Sequence, residues 1–360
     1  MQDLEFPLLK IKLDNHSETF NLSDPEQRKK YFDLKVGKEI KEIQDFLKDH
    51  TFIAYLMGKK GAGKGTYAKL VQEIFGSDKI AHFSVGDAVR EIEQEFLDPE
   101  RKATIFKFLE KNYRGFISLE KAISALENRS TKTLLPTEMI LALVKMKIAE
   151  MGKKTLLIDG FPRNLDQISH SLFFRELIDY RGDPDIFILI DIPESIINER
   201  IKTRVVCPYC HTSRNLRLLP TKNVGYDKEK KTFYLMCDNP ECNNAKMFAK
   251  EGDELGIEPI KKRLALDEDL LKMAHNLYGI PKVLLRNHVP VEEVNDYVDD
   301  YEITPEYSFQ WNEEKGKVKI NKKQFTVLDD NGKTCYSLLA PATVVSLVKQ
   351  LASIFNLLDK

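Results

Sequence analysis

The stretch Gly58-Lys59-Lys60-Gly61-Ala62-Gly63-Lys64-Gly65-Thr66 constrains this chain more than any other. It follows a short apolar run, residues 52–57, and opens a helical pattern. Strand, tight turn and helix in that order begin a parallel α/β unit. Glycines let backbone N–H groups turn inward without Cβ clashes, and the N-terminus of the following helix favours an anion. Gly61, Ala62, Gly63 and Gly65 would form the cradle, Lys64 would reach the β- and γ-phosphates, and the Thr66 hydroxyl would point towards bound Mg²⁺. A merely flexible glycine-rich loop would need neither the lysine nor the flanking strand and helix.

Further apolar runs at residues 79–85, 155–158 and 186–190 are each followed by a turn and helical periodicity. Runs of that length with little alternation fit strands buried on both faces. The fold class expected is α/β, with a parallel five-stranded core sheet and helices on both faces. Two long insertions interrupt it. The expected division is an N-terminal extension over residues 1–50, core with the glycine-rich loop over 51–90, and a first insertion over 91–135. Core over 136–204 and a second insertion over 205–250 follow, and residues 251–360 complete the core around a further insertion at about 280–330. The extension reads as a strand-like start and then a charged helix whose Ile40, Ile43, Phe46 and Leu47 face the core. Asp329-Asp330-Asn331-Gly332 reads as a hairpin turn, and Val344, Leu347, Val348, Leu351 and Ile354 mark a closing amphipathic helix.

A net charge of -1 supplies no global basic field, so a nucleic-acid partner is not implied. No run approaches the ~18 apolar residues of a membrane helix, and the first residues lack a secretion pattern. A cytoplasmic monomer with no membrane partner is expected. Four of the five cysteines form two close pairs, Cys207-Pro208-Tyr209-Cys210 and Cys237-Asp238-Asn239-Pro240-Glu241-Cys242. Both spacings suit structural zinc held by four thiolates; disulfides or unpaired thiols are the alternatives. Four protein ligands would leave no open position for catalytic zinc. His211 could substitute as a ligand but reads as a surface residue, and Cys335 reads as buried or incidental.

Gly65 stands between Lys64 and Thr66, and Gly-Lys-Gly-Thr resembles the nucleoside-monophosphate kinase family, adenylate kinases in particular. Lys60 departs from that family's usual proline. The segment His82-Phe83-Ser84-Val85-Gly86-Asp87-Ala88-Val89-Arg90 is similar to the family's second signature, which implies that Arg90 holds the acceptor phosphate. Val85 there replaces a common threonine beside the acceptor nucleoside. Leu135-Pro136-Thr137-Glu138-Met139 resembles the stretch after the acceptor-binding helices. Asp159-Gly160-Phe161-Pro162-Arg163 resembles the most diagnostic one. The resemblance implies that Arg163 grips the acceptor phosphate beside Gly160, that Asp159 orients waters around Mg²⁺, and that Gln167 reads an adenine edge. Guanidinium forks suit a dianionic phosphate, and a carboxylate at a buried strand's C-terminal end lies where doubly wound sheets bind ligands.

In the second insertion the resemblance implies that Arg200 stacks on the donor adenine and Arg204 contacts donor phosphates, with the two on one helix face. Lys250 stands near a phosphate-contacting arginine of the family. Glu258-Pro259-Ile260-Lys261-Lys262-Arg263-Leu264 resembles the helix that supplies a transition-state arginine, Arg263, which also meets AMP. The likeness covers residues 52–270 and the last helix, but neither 1–50 nor 280–330. It implies reversible transfer from ATP to AMP giving two ADP, with Mg²⁺ carried by ATP and a zinc-bearing lid. UMP, CMP or GMP as acceptor is an alternative, and so is a nucleotide-binding module without catalysis. Nucleic-acid binding by the cysteine knuckles is weakened by Asp238, Glu241, Glu251 and Asp253.

Overall fold

The computed structural model describes residues 4–14, 16–127, 135–163, 167 and 183–355. Residues 1–3, 15, 128–134, 164–166, 168–182 and 356–360, which belong to the expected extension, first insertion and core segments, lie outside the described residues.

The core sheet contains β1 (Ile53–Gly58), β2 (Ile80–Ser84), β3 (Thr155–Asp159), β4 (Asp185–Asp191) and β10 (Lys282–Arg286), in the order β10-β4-β1-β3-β2. Every pairing is parallel. β1 is central, and its side chains alternate between two apolar layers. Ala54 and Leu56 join a cluster with the helices Pro25–Asp49, Lys64–Phe75 and Ala340–Ile354. Ile53, Tyr55 and Met57 face the opposite way, against Val144, Leu270, Leu271 and Ala274 of the helices Thr137–Met151 and Lys261–Asn276. This two-sided cover is why the strands read as near-continuous apolar runs. Each of the larger aliphatic and aromatic side chains so buried contributes about 1.5–3 kcal/mol.

The fifth strand departs from the sequence expectation. β10 lies within the segment assigned to an insertion, so the added chain begins only after Arg286. The extra residues form β11 (His288–Pro290), the hairpin β12 (Pro305–Asn312) and β13 (Lys317–Gln324), and the turn-linked pair β14 (Thr326–Leu328) and β15 (Thr334–Ser337). Asp329 Oδ1 accepts the Asn331 and Lys333 N–H groups and closes that turn.

Among the described residues the N-terminal start forms no strand. Ile11 and Lys12 both donate to the single Tyr297 carbonyl, at 2.9 Å each, so no ladder develops. The helix Pro25–Asp49 follows, capped by Asp24, whose side chain accepts Gln27 N–H. Its buried Lys35 reaches Asp299 at 2.7 Å and Glu302 at 3.1 Å, and donates to the Ile11 carbonyl. One buried ammonium therefore ties the N-terminal extension to the C-terminal insertion.

Helix Val85–Glu95 runs through the expected start of the first insertion, and Pro99–Asn112 and Leu119–Glu127 follow it. Their apolar faces pack on Met139, Leu143 and Met146. The second insertion holds a three-stranded sheet of β5 (Arg204–Val206), β6 (Ser213–Asn215) and β9 (Phe248–Ala249), and a hairpin of β7 (Val224–Asp227) and β8 (Thr232–Leu235). The β12–β13 hairpin braces it. Trp311 stacks on Tyr226 with ring centres 5.0 Å apart, Phe309 lies beside Phe233, and Tyr307 N–H donates to the Arg217 carbonyl. Among the described residues no helix is long and apolar enough to cross a membrane.

Candidate active site

The glycine-rich loop joins β1 to the helix Lys64–Phe75. Gly61 (φ 91°) and Gly63 (φ 96°) take left-handed backbone that other residues rarely adopt, and Gly63 is the residue at the helix start. Ala62 is fully buried beneath the turn, whereas Gly61 and Thr66 are exposed. Lys64 folds back over its own loop, donating to the Gly58 carbonyl at 2.9 Å, with Nζ 4.0 Å from Asp159 Oδ1. Burial lowers the Lys64 pKa, Arg263 and Arg163 add to that, and Asp159 and Asp267 oppose it.

The arginines converge on the same mouth. Arg163 Nε donates to the Gly160 carbonyl at 2.7 Å, and Arg263 Nη1 donates to the Arg163 carbonyl at 3.1 Å. A Cβ on Gly86 would lie 2.5 Å from Arg163 Nη2 and 3.6 Å from Arg90 Nη1, so two guanidinium groups share the space above that glycine. Arg90 also pairs with Asp87 on its own helix. Lys64, Asp159, Arg163 and Arg263 are thus gathered where β1 and β3 end. Val85 is buried at the helix start capped by Ser84. Gln167 is buried as well: its Oε1 accepts Arg163 N–H at 2.7 Å and its Nε2 donates to Thr137 Oγ1 at 3.3 Å.

Arg200 and Arg204 do not share a helix face. The helix Glu194–Lys202 stops at Thr203, and Arg204 opens β5. Its guanidinium makes two bonds to the buried Asp253 carboxylate, at 2.7 and 2.6 Å, and is not drawn to Lys64 in this conformation. Arg200 leans on the loop, 3.5 Å from the Gly61 carbonyl and 3.3 Å from Asn287 Oδ1; burial lowers its pKa. Lys250 is exposed.

The four lid cysteines meet. Their sulfurs lie within 4.8 Å of one another, with Cys210 and Cys237 Sγ 3.6 Å apart. Cys207, Cys237 and Cys242 are buried, so the thiols are the centre of this small unit's core. Four converging sulfurs suit a soft tetrahedral ion such as zinc. Hydrogen bonding with Thr212 lowers the Cys210 thiol to about 6, and burial raises Cys242 to about 12. His211 is exposed and stands outside the cluster. Cys335 is buried elsewhere, 3.8 Å from Asp329 Oδ2 and grouped with His288. Arg286 Nε already donates to His288 Nε2, which occupies the imidazole lone pair a metal would need.

No protein-family model matches the chain. Among individual proteins, the chain is 30% identical to the adenylate kinase of Staphylococcus epidermidis over 251 residues, covering 96% of that protein and 68% of this chain. It is 34% identical to the adenylate kinase of Clostridium novyi over 171 residues, covering 67% of that protein and 47% of this chain. For the adenylate kinase of Thermotoga neapolitana the values are 27% over 237 residues, 89% and 65%. The chain belongs to the adenylate kinase family. It is therefore a nucleoside-monophosphate kinase, a phosphotransferase.

Several residues at this kinase's site escaped the sequence reading. Asp267 is buried, with Oδ1 2.8 Å from Arg263 Nη2 and Oδ2 accepting Lys60 N–H at 2.8 Å. Burial raises its pKa against the pull of Arg263 and Lys64. Lys59 is also buried, its ammonium 2.8 Å from Asp330, 3.2 Å from Glu194 and 3.5 Å from Glu268. Burial acts to lower its pKa, yet Asp330 and Glu194 outweigh that and raise it. The C-terminal hairpin turn therefore holds the loop of this family member from behind. The one sequence signal was Lys60 itself, since a proline there could not donate to Asp267.

Proposed function

We propose that this kinase is an adenylate kinase, reversibly converting ATP and AMP into two ADP. The reading is carried by the gathering of Lys64, Asp159, Arg163 and Arg263 at one mouth. An AMP phosphate oxygen would attack the γ-phosphorus of ATP in line. The new P–O bond forms as the bond to the β–γ bridging oxygen breaks, and ADP leaves with that electron pair. The attacking oxygen is already anionic, so no general base is required, and catalysis rests on positioning and charge stabilisation.

In this reading the amides of Gly61, Ala62, Gly63, Gly65 and Thr66 hold the donor phosphates with Lys64. Mg²⁺ arrives as part of the ATP substrate, on the side of Asp159 and the Thr66 hydroxyl. Arg90 and Arg163 fix the AMP phosphate beside Gly160, and Arg263 faces the transferring group. Arg200 would flank the donor base. Arg204 would reach donor phosphates only by leaving Asp253, a movement that suits closure of residues 205–250 as a lid. Cys207, Cys210, Cys237 and Cys242 would hold zinc, which supplies rigidity to the lid and no chemistry to the transfer.

Lys64→Ala should lower kcat by more than roughly a hundredfold, the scale of one lost transition-state donor at ~2.7–4 kcal/mol. A folded variant with unchanged kcat would remove Lys64 from the mechanism. A second acceptor, UMP, CMP or GMP, stays in view because Val85 offers no hydroxyl and the Gln167 amide is engaged by Arg163 and Thr137 at both ends.

A further inference from the structure

The carboxylate of Asp267 has two oxygens and two distinct partners. Oδ2 takes the N–H of Lys60 in the phosphate loop at 2.8 Å, and Oδ1 lies 2.8 Å from Arg263 Nη2. An ordinary helix pair four residues apart is exposed and worth about 0.3–0.5 kcal/mol. Here the aspartate side chain is only 6% exposed, and its second oxygen is spent on a different element. The loop amide fixes the carboxylate, and the carboxylate fixes the guanidinium. Arg263 Nη1 is then held at the Arg163 carbonyl, so Arg263 is anchored at both terminal nitrogens. A guanidinium held at two points loses little freedom when charge develops in front of it, which is how a preorganised donor stabilises a transition state.

We propose that Asp267 is a positioning residue for phosphoryl transfer: locked by the Lys60 amide, it aims Arg263 at the transferring group. This rests on the site reading given above. It also gives the departure at residue 60 a role, because proline would remove the donor that locks the carboxylate.

The test is a double-mutant cycle on the full chain, with Asp267→Asn, Arg263→Ala and both together, reading kcat, both KM values and the melting temperature. Asp267→Asn is expected to lower kcat tenfold or more with both KM values within twofold. In the Arg263→Ala background it should cost nothing further in kcat, because there is no guanidinium left to aim. The double variant should also melt above Arg263→Ala, which leaves a buried carboxylate without its guanidinium. An equal kcat loss in both backgrounds, or none in either, overturns the inference and leaves the site reading standing. Wild-type kcat in Arg263→Ala overturns the site reading, and the inference with it. Should Asp267→Asn not fold, Asp267→Ala runs the same cycle with the same outcomes.

Discussion

Stripping the proposed zinc from the four cysteines should undo the lid and leave the core sheet folded. The buried apolar set there is Cys207, Leu235, Cys237, Cys242 and Met247. In that cluster the buried side chains other than cysteine are Leu235 and Met247, worth together about 3–6 kcal/mol on full burial. A structural zinc with thiolate ligands supplies about 10–16 kcal/mol, so zinc at this cluster would contribute the larger share. The chain carries its own reporter, because its single tryptophan is Trp311. That indole stacks on Tyr226 of the lid hairpin at 5.0 Å and 17°, under the Lys228 ammonium at 5.4 Å. Treatment with a chelator and thiol-reactive mercurial should release one zinc per chain, shift Trp311 emission to the red and speed amide exchange across 224–235. Exchange in β1, β3 and β4 should stay slow, and added zinc should restore the emission. Metal-free protein with unchanged Trp311 emission and slow exchange in the lid hairpin would refute the reasoning.

Gly86→Ala places a Cβ 2.5 Å from Arg163 Nη2, the far end of a flexible side chain, so the fold should tolerate it. Alanine in that helix should add roughly 0.5–1 kcal/mol of stability while KM for the acceptor rises several-fold; thermal melts and acceptor titrations check both, and an unchanged KM contradicts the placement of Arg163. Burial, with Asp330 adding to it and Arg286 opposing it, pushes the Asp191 carboxyl up to about 6 from 3.8. The folded chain keeps that proton where the unfolded chain releases it, so this contribution is complete below about pH 4 and lost as pH rises through about 6. Asp191→Asn should match the natural chain in denaturant unfolding at pH 4 and exceed it by roughly 3 kcal/mol at pH 7; a difference independent of pH would contradict the assignment.

Much of the fold was legible because the chemistry dictates residue types. A phosphate loop needs glycines at Gly61 and Gly63, where φ is positive, and two-sided cover makes β1, β3 and β4 read as apolar runs. The cysteine cluster was legible for a similar reason, since ligand spacing is fixed by coordination geometry. Other features depended on tertiary contacts that leave no local trace. Arg263 and Asp267 look like any exposed helix pair until the loop amide is seen to close over the carboxylate. Arg204 fell outside its expected helix because Thr203 ends the helix with neither glycine nor proline to announce it. β10 was hidden in a short run, Lys-Val-Leu-Leu-Arg, flanked by Pro281 and a polar Asn287 whose amide links Tyr67 to Thr343. The N-terminal segment reads as a strand by composition, yet a strand needs a partner edge, and Tyr297 offers one carbonyl.

The most direct test is the initial rate of MgATP-dependent phosphorylation across AMP, UMP, CMP and GMP, measured on the zinc-loaded chain. AMP should be turned over fastest, with two ADP formed for each ATP consumed. Tight ATP binding without turnover of any of the four would contradict a ring of cations built to carry a phosphoryl group between two nucleotides.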